Sequence, residues 1–276
     1  MKKILRIFPR RTKATPTDAN AIIGRLPRMS DTADEIRISV TFTWDIPAAE
    51  RLYNQWRHVA PVVSLGGPAF NSPDDDFEPG MYLKQGYTIT SRGCNNRCWF
   101  CAVWKRLPKV KELPIHQGHI IQDDNLLGCS EQHIRAVFAM LRKQSTPAVF
   151  SGGIEAKLLK PWHVELLKSI RLNSLFCAYD TPDDLEPLRH AGKLLNEANI
   201  KYENRKARCY VLIGTPGDTI EKAEHRLKQA LHAGFFPFSM LYRVDDGKRD
   251  KTWARFHRQW ASPIISAVNC KKIKGA

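Results

Sequence analysis

The stretch from Ala148 to Thr219, AVFSGGIEAKLLKPWHVELLKSIRLNSLFCAYDTPDDLEPLRHAGKLLNEANIKYENRKARCYVLIGTPGDT, carries one pattern three times. An apolar run ends on polar or glycine residues, and an amphipathic run follows before the next apolar one. The interval is about 30 residues, the length of a strand and a helix with their turns. Working outward, the same period continues. Strands are predicted at YTITS from Tyr87, HIIQDDN from His119, AVFSGG from Ala148, SLFCAYD from Ser174, RCYVLIG from Arg208 and PFSMLYR from Pro237. Six strands, each followed by a helix, predict an α/β fold on a parallel sheet.

Helix signals agree with this reading. Ile134, Val137, Phe138 and Leu141 recur at i, i+3, i+4 and i+7, the signature of one buried stripe. Thr181-Pro182-Asp183-Asp184 offers a cap residue, a first-turn proline and two acids at the positive pole. Asp218-Thr219-Ile220-Glu221 starts another helix in the manner of a capping box.

In parallel βα folds ligands gather beyond the carboxyl ends of the strands. Those ends are where the unusual residues fall. They are Asp123-Asp124-Asn125, Ser151-Gly152-Gly153-Ile154-Glu155, Tyr179-Asp180 and Gly214-Thr215-Pro216-Gly217-Asp218. Each also has a plainer reading as a turn or a helix cap, with Asp123-Asp124-Asn125 capping a helix before Leu126. The first strand is followed by RGCNNRCWFCAVWKR, in which Cys94, Cys98 and Cys101 are spaced C-x3-C-x2-C. Structural zinc wants four ligands, and the nearest further donor, His116, lies beyond Pro108 and Pro114. A ferredoxin run would continue to another nearby cysteine. Three thiolates on a four-iron cluster leave one iron open for chemistry.

The cysteine loop opening a six-unit βα array resembles the radical SAM superfamily, and the resemblance covers roughly residues 87–260. It implies a partial (β/α)6 barrel, a [4Fe-4S] cluster on Cys94, Cys98 and Cys101, and S-adenosyl-L-methionine as second cofactor. It also implies that Phe100 lies against the adenine and that Ser151, Gly152 and Gly153 receive the amino group. The family often has an acid directly after the two glycines, whereas here Ile154 intervenes before Glu155. Gly214 and Gly217 match the turn that lines the adenine pocket, and Asp180 is placed at the ribose hydroxyls. The implied activity is reductive cleavage to a 5′-deoxyadenosyl radical that abstracts hydrogen from a substrate, with a flavodoxin- or ferredoxin-like electron donor.

Before Tyr87 the chain reads differently. EIRISVTF is a strand, IPAAERLYNQWRHV a helix and APVVSLGGPAF a second strand, together one small βαβ unit. It resembles the last part of the cobalamin-binding domain of one radical SAM group, although the cobalt-ligating D-x-H-x-x-G motif is missing and its only histidine is His58. NSPDDDFEPG, from Asn71 to Gly80, is read as the connection, giving an N-terminal segment over 1–80 and a core over 81–276.

The formal charge of +15 favours an anionic small molecule or nucleic acid as substrate or partner. The basic residues cluster at the N-terminus (Lys2, Lys3, Arg6, Arg10, Arg11, Lys13), at the C-terminus (Lys271, Lys272, Lys274) and at Lys201, Arg205, Lys206 and Arg208. Both termini are expected to be flexible basic tails. No apolar run is long enough to span a membrane, and seven cysteines with a ligand-like trio point to the cytoplasm. Of the others, Cys177 and Cys209 read as buried strand residues and Cys129 as a cap-region or substrate-side thiol. The contrasting reading is a non-catalytic nucleic-acid-binding protein with a structural metal in the cysteine loop.

Overall fold

A computed structural model describes residues 2–70, 77–243 and 250–275. The chain divides into two compact units, Met1–Tyr87 and Thr88–Ala276. Of the predicted connection Asn71–Gly80, residues 71–76 lie outside the described residues.

The first unit holds β1 (Ile4–Phe8), β2 (Ala21–Ile23), β3 (Glu35–Ser39), α1 (Ile46–Trp56) and β4 (Val62–Gly66). Its sheet runs β2-β1-β3-β4 with every pair parallel. The predicted βαβ unit is therefore present as β3-α1-β4, but two further strands extend it. The basic N-terminus is not a flexible tail. Leu5 and Ile7 point into the same core as Ile36, Ile38, Leu52 and Trp56. The charge between them is absorbed: the Arg6 guanidinium pairs with Asp18 and donates to the carbonyls of Gly80 at 2.6 Å and Met81 at 3.0 Å. Alternating apolar residues outweighed the charge run because a strand sends its basic and apolar residues to different neighbours. His58 lies just past α1, exposed, and its Nε2 accepts from Arg57 Nε at 3.0 Å.

β5 (Tyr87–Thr88) falls on the boundary, and the second unit contains β6 (Ser91–Arg92), α2 (Val103–Arg106), β7 (Lys111–Glu112), β8 (Ile120–Ile121), α3 (Glu131–Arg142), β9 (Ala148–Phe150) and α4 (Pro161–Lys168). It continues with β10 (Leu172–Tyr179), α5 (Leu185–Glu197), β11 (Ala207–Ile213), α6 (Ile220–His232), β12 (Phe236–Leu241), α7 (Lys251–Ala261) and α8 (Pro263–Lys274). Six strands form one sheet in chain order, β5-β8-β9-β10-β11-β12, and the pairings from β8 to β12 are parallel. This is the α/β architecture the 30-residue period predicts. β6 and β7 form a separate antiparallel pair.

Local chemistry explains the helices. The stripe Ile134, Val137, Phe138 and Leu141 of α3 is buried, against a strand core that includes Phe150 and Leu175. Burying each such side chain contributes roughly 1.5–3 kcal/mol. Ser130 caps α3 and Thr219 caps α6, each accepting from the backbone N–H three residues on. The expected C-terminal tail is the last turn of α8, where Lys271, Lys272 and Lys274 lie at the negative pole of the helix. No helix among the described residues is long and apolar enough to cross a membrane.

Candidate functional site

Three consecutive residues at the carboxyl end of β8 hold the segment that carries the cysteines. The Asp123 carboxylate accepts from Thr90 N at 2.6 Å, Thr90 Oγ1 at 2.5 Å and Ser91 Oγ at 3.0 Å. Asp124 Oδ2 accepts from Gly93 N at 2.9 Å. Asn125 Nδ2 donates to Cys94 Sγ at 3.6 Å and to Glu155 Oε2 at 2.6 Å. The helix-cap reading of this trio is thus corrected: Asn125 opens a 3₁₀ turn at Leu126–Gly128 without a side-chain capping bond. Burial pushes the Asp123 carboxyl up, opposed by its bonds to Thr90 and Ser91.

The end of β9 packs directly on that trio. A Cβ on Gly152 would lie 2.1 Å from the Asp123 carbonyl oxygen, so the two backbones meet only because the side chain is missing. Gly153 adopts φ +102°, which turns the chain away. Ser151 Oγ donates to the Ile121 carbonyl at 3.1 Å. The inserted Ile154 is buried in the core and its N–H donates to Phe176 O at 2.6 Å. That inward turn brings Glu155 to the Cys94 side. Besides Asn125, Glu155 pairs with Lys157 at 2.9 Å, and Lys157 Nζ donates to Asn96 Oδ1 at 2.6 Å. Glu155 therefore ties the cysteine loop to β9.

The loop extends further around the strand ends. Phe100 packs edge-to-face on Trp99 with centroids 5.5 Å apart, and Trp99 reaches Tyr242, just past β12, at 5.6 Å. Trp104 Nε1 donates to Cys98 O at 2.8 Å. Asp180, just past β10, accepts from Leu212 N at 3.0 Å through Oδ1. Burial pushes its carboxyl up to about 6, the Asp184 charge adding to the rise and Leu212 N–H and Arg226 opposing it. After β11, Gly214 and Gly217 have φ +72° and +76°. Asp218 closes this turn by accepting from Gly214 N at 2.9 Å while Arg226 holds it at 2.7 Å.

Cys94, Cys98 and Cys101 are half-buried on this loop. Burial raises the Cys98 thiol first, and the charges of Cys101, Cys94, Asp180 and Asp184 add to it. Cys101 is raised by burial and by Cys94 and Asp124, against Val103 N–H and Arg106. The three thiols thus feel one another. Among the described residues, no three His, Cys, Asp or Glu side chains stand close enough to form a metal-binding group, these three included. Cys129 is hydrogen-bonded to Ser91, its thiol pushed up to about 11 by burial. The residues that sequence reasoning passed over are Asn96, Trp99, Trp104, Lys157 and Tyr242. Trp104 lies in α2 and reaches back six residues, while the others are polar or aromatic residues near the strand ends whose partners are remote in sequence. Comparison with protein-family models gives no match, and no curated protein matches the chain.

Proposed function

We propose that the chain is a radical SAM enzyme whose second unit is a partial (β/α)6 barrel, acting on an anionic substrate. The observation that carries this reading is the placement of the three-cysteine loop. It lies along the carboxyl ends of a parallel sheet, held at β8 by Asn125, at β9 by Lys157 and beside β12 by Tyr242. The donor type suits a [4Fe-4S] cluster, three thiols on one loop without a fourth cysteine beside them, and the three would have to draw together to hold it. Cys94, Cys98 and Cys101 would hold it. When bound, the cluster supplies the electron that cleaves S-adenosyl-L-methionine to a radical source.

This chain's own residues do the rest. Asn125 directs an N–H at the Cys94 sulfur, and such bonds stabilise a thiolate ligand and tune its potential. Phe100 offers an aromatic face on the loop for the adenine. Gly153 and Gly217 leave open space for a cofactor to approach the backbone, whereas at Gly214 that space is taken by Leu241 and Trp253 and the glycine serves the turn. Asp180 keeps one oxygen on Leu212 and offers the other to the ribose hydroxyls. Ser151 and Glu155, which the resemblance places at the cofactor, also hold the β8 backbone and the loop.

Anaerobic reconstitution followed by metal analysis and a 5′-deoxyadenosine assay tests the reading. About four irons per chain and deoxyadenosine formation after reduction are expected. Stoichiometric zinc with no deoxyadenosine would replace it with the structural-metal, nucleic-acid-binding alternative.

A further inference from the structure

Two basic clusters far apart in the sequence meet in the fold. The loop before β11 brings Tyr202 and Arg205, and the last turn of α8 brings Lys271 and Lys274, to one cleft of about 400 Å³ closed by Phe236. Lys274 Nζ lies 5.3 Å from the Tyr202 ring centroid, and Arg205 Cζ lies 6.0 Å from that of Phe236. The cleft sits where β11 and β12 begin, at the opposite end of the sheet from the cysteine loop.

The loop is held in shape. Arg205 N donates to Tyr202 O at 2.9 Å, and Asn204 Oδ1 accepts from Lys201 N at 3.2 Å and Lys206 N at 3.1 Å. This turn places Arg205 at φ +58°, a conformation side-chain-bearing residues seldom adopt. Among the described residues, Arg205, Lys271 and Lys274 have no carboxylate at ion-pair distance, and all three are exposed. The acid lining the cleft is Glu203, which engages Tyr202. Three cations, two of them beside aromatic rings, thus line one cleft with no paired carboxylate among the described residues.

We propose that this cleft docks single-stranded nucleic acid, with phosphates on Arg205, Lys271 and Lys274 and a base against Tyr202. The volume suits a piece the size of one nucleotide. A basic track lined with aromatic rings is how single strands are gripped without sequence preference. A concave cleft of this size is closed to a duplex and does not match a flat lipid surface. The inference stands whether or not the cysteine loop carries a cluster.

Fluorescence anisotropy with labelled oligouridine of about 16 nucleotides tests it. The full chain should bind, and Arg205→Gln/Lys271→Gln/Lys274→Gln should bind about tenfold or more weakly near physiological salt. The salt slope should fall by about 2, as loss of three phosphate contacts on a single strand requires. Removing the opposing charge with Glu203→Gln should tighten binding. These are exposed positions, and an unchanged circular dichroism melt checks the fold. Wild-type affinity in the triple variant, equal affinity for uridine monophosphate, or binding to phosphatidylserine vesicles in place of the oligonucleotide would each overturn the proposal.

Discussion

The cysteines of this protein divide into two groups that share a chemistry and little else. Cys177 and Cys209 face each other in register on β10 and β11, fully buried, and burial drives the Cys177 thiol up to about 12 and that of Cys209 well above its usual range. Cys94, Cys98 and Cys101 lie half-buried on a loop fastened by side chains of three different strand ends. A strand interior protects a thiol by removing water and polar partners, leaving a small apolar residue. A loop held by hydrogen bonds leaves the thiol reachable while limiting where it can go. Only the second arrangement suits a ligand.

The largest expected effect divides the two groups. Cys98→Ala should retain no intact cluster after anaerobic reconstitution, while Cys177→Ala should retain the iron content of the parent chain. Loss of iron from both to the same degree would remove the distinction. The next effect concerns what fastens the loop. Gly152→Ala forces a methyl to 2.1 Å from the Asp123 carbonyl and should cost about 3 kcal/mol in urea unfolding, the upper range for overpacking. Gly153→Ala strains only its positive φ, with nothing nearer than Phe176 O at 3.7 Å, and should cost about 1 kcal/mol. Equal costs would show that the β8 and β9 ends yield independently of the loop.

A pH-dependent effect lies between the groups, because the Asp180 charge raises both Cys98 and Cys209. Its folded pKa of about 6 lies above the unfolded value of 3.8, so folding favours the protonated acid. Its contribution is present below the unfolded value and is lost as pH rises through about 6, amounting to about 3 kcal/mol at most. Asp180→Asn should remove that loss, so variant and parent diverge in stability between about pH 4 and pH 7. Parallel stability curves would place Asp180 in water instead of beneath the loop.

The sheet was legible because its signal is local and repeated. Each of the six predicted strands appears in its place, since an apolar run bounded by turn residues needs no distant partner to be recognised. The buried stripe of α3 was legible for the same reason. The site was legible in composition, as unusual residues gathered at strand ends, but not in connection. Ile154 looked like an interruption before Glu155, yet its side chain is the inward-facing step that aims Glu155 at Asn125. Nothing local links Asn96 to Lys157 or Trp99 to Tyr242, because those contacts exist only once separate βα units lie side by side.

Charge misled in one place and informed in another. At the N-terminus the basic run concealed β1, because counting charge ignores that alternate residues of a strand face opposite ways. At residues 201–208 and 271–274 the charge was plain, while its convergence on one cleft was not. By itself the sequence determined the period of the fold, the identity of the three loop thiols and the sign of the surface charge, all properties of neighbouring residues. The tertiary structure decided which side chains fasten the cysteine loop and where the basic clusters meet, because those depend on contacts between residues that only folding brings within a few ångströms.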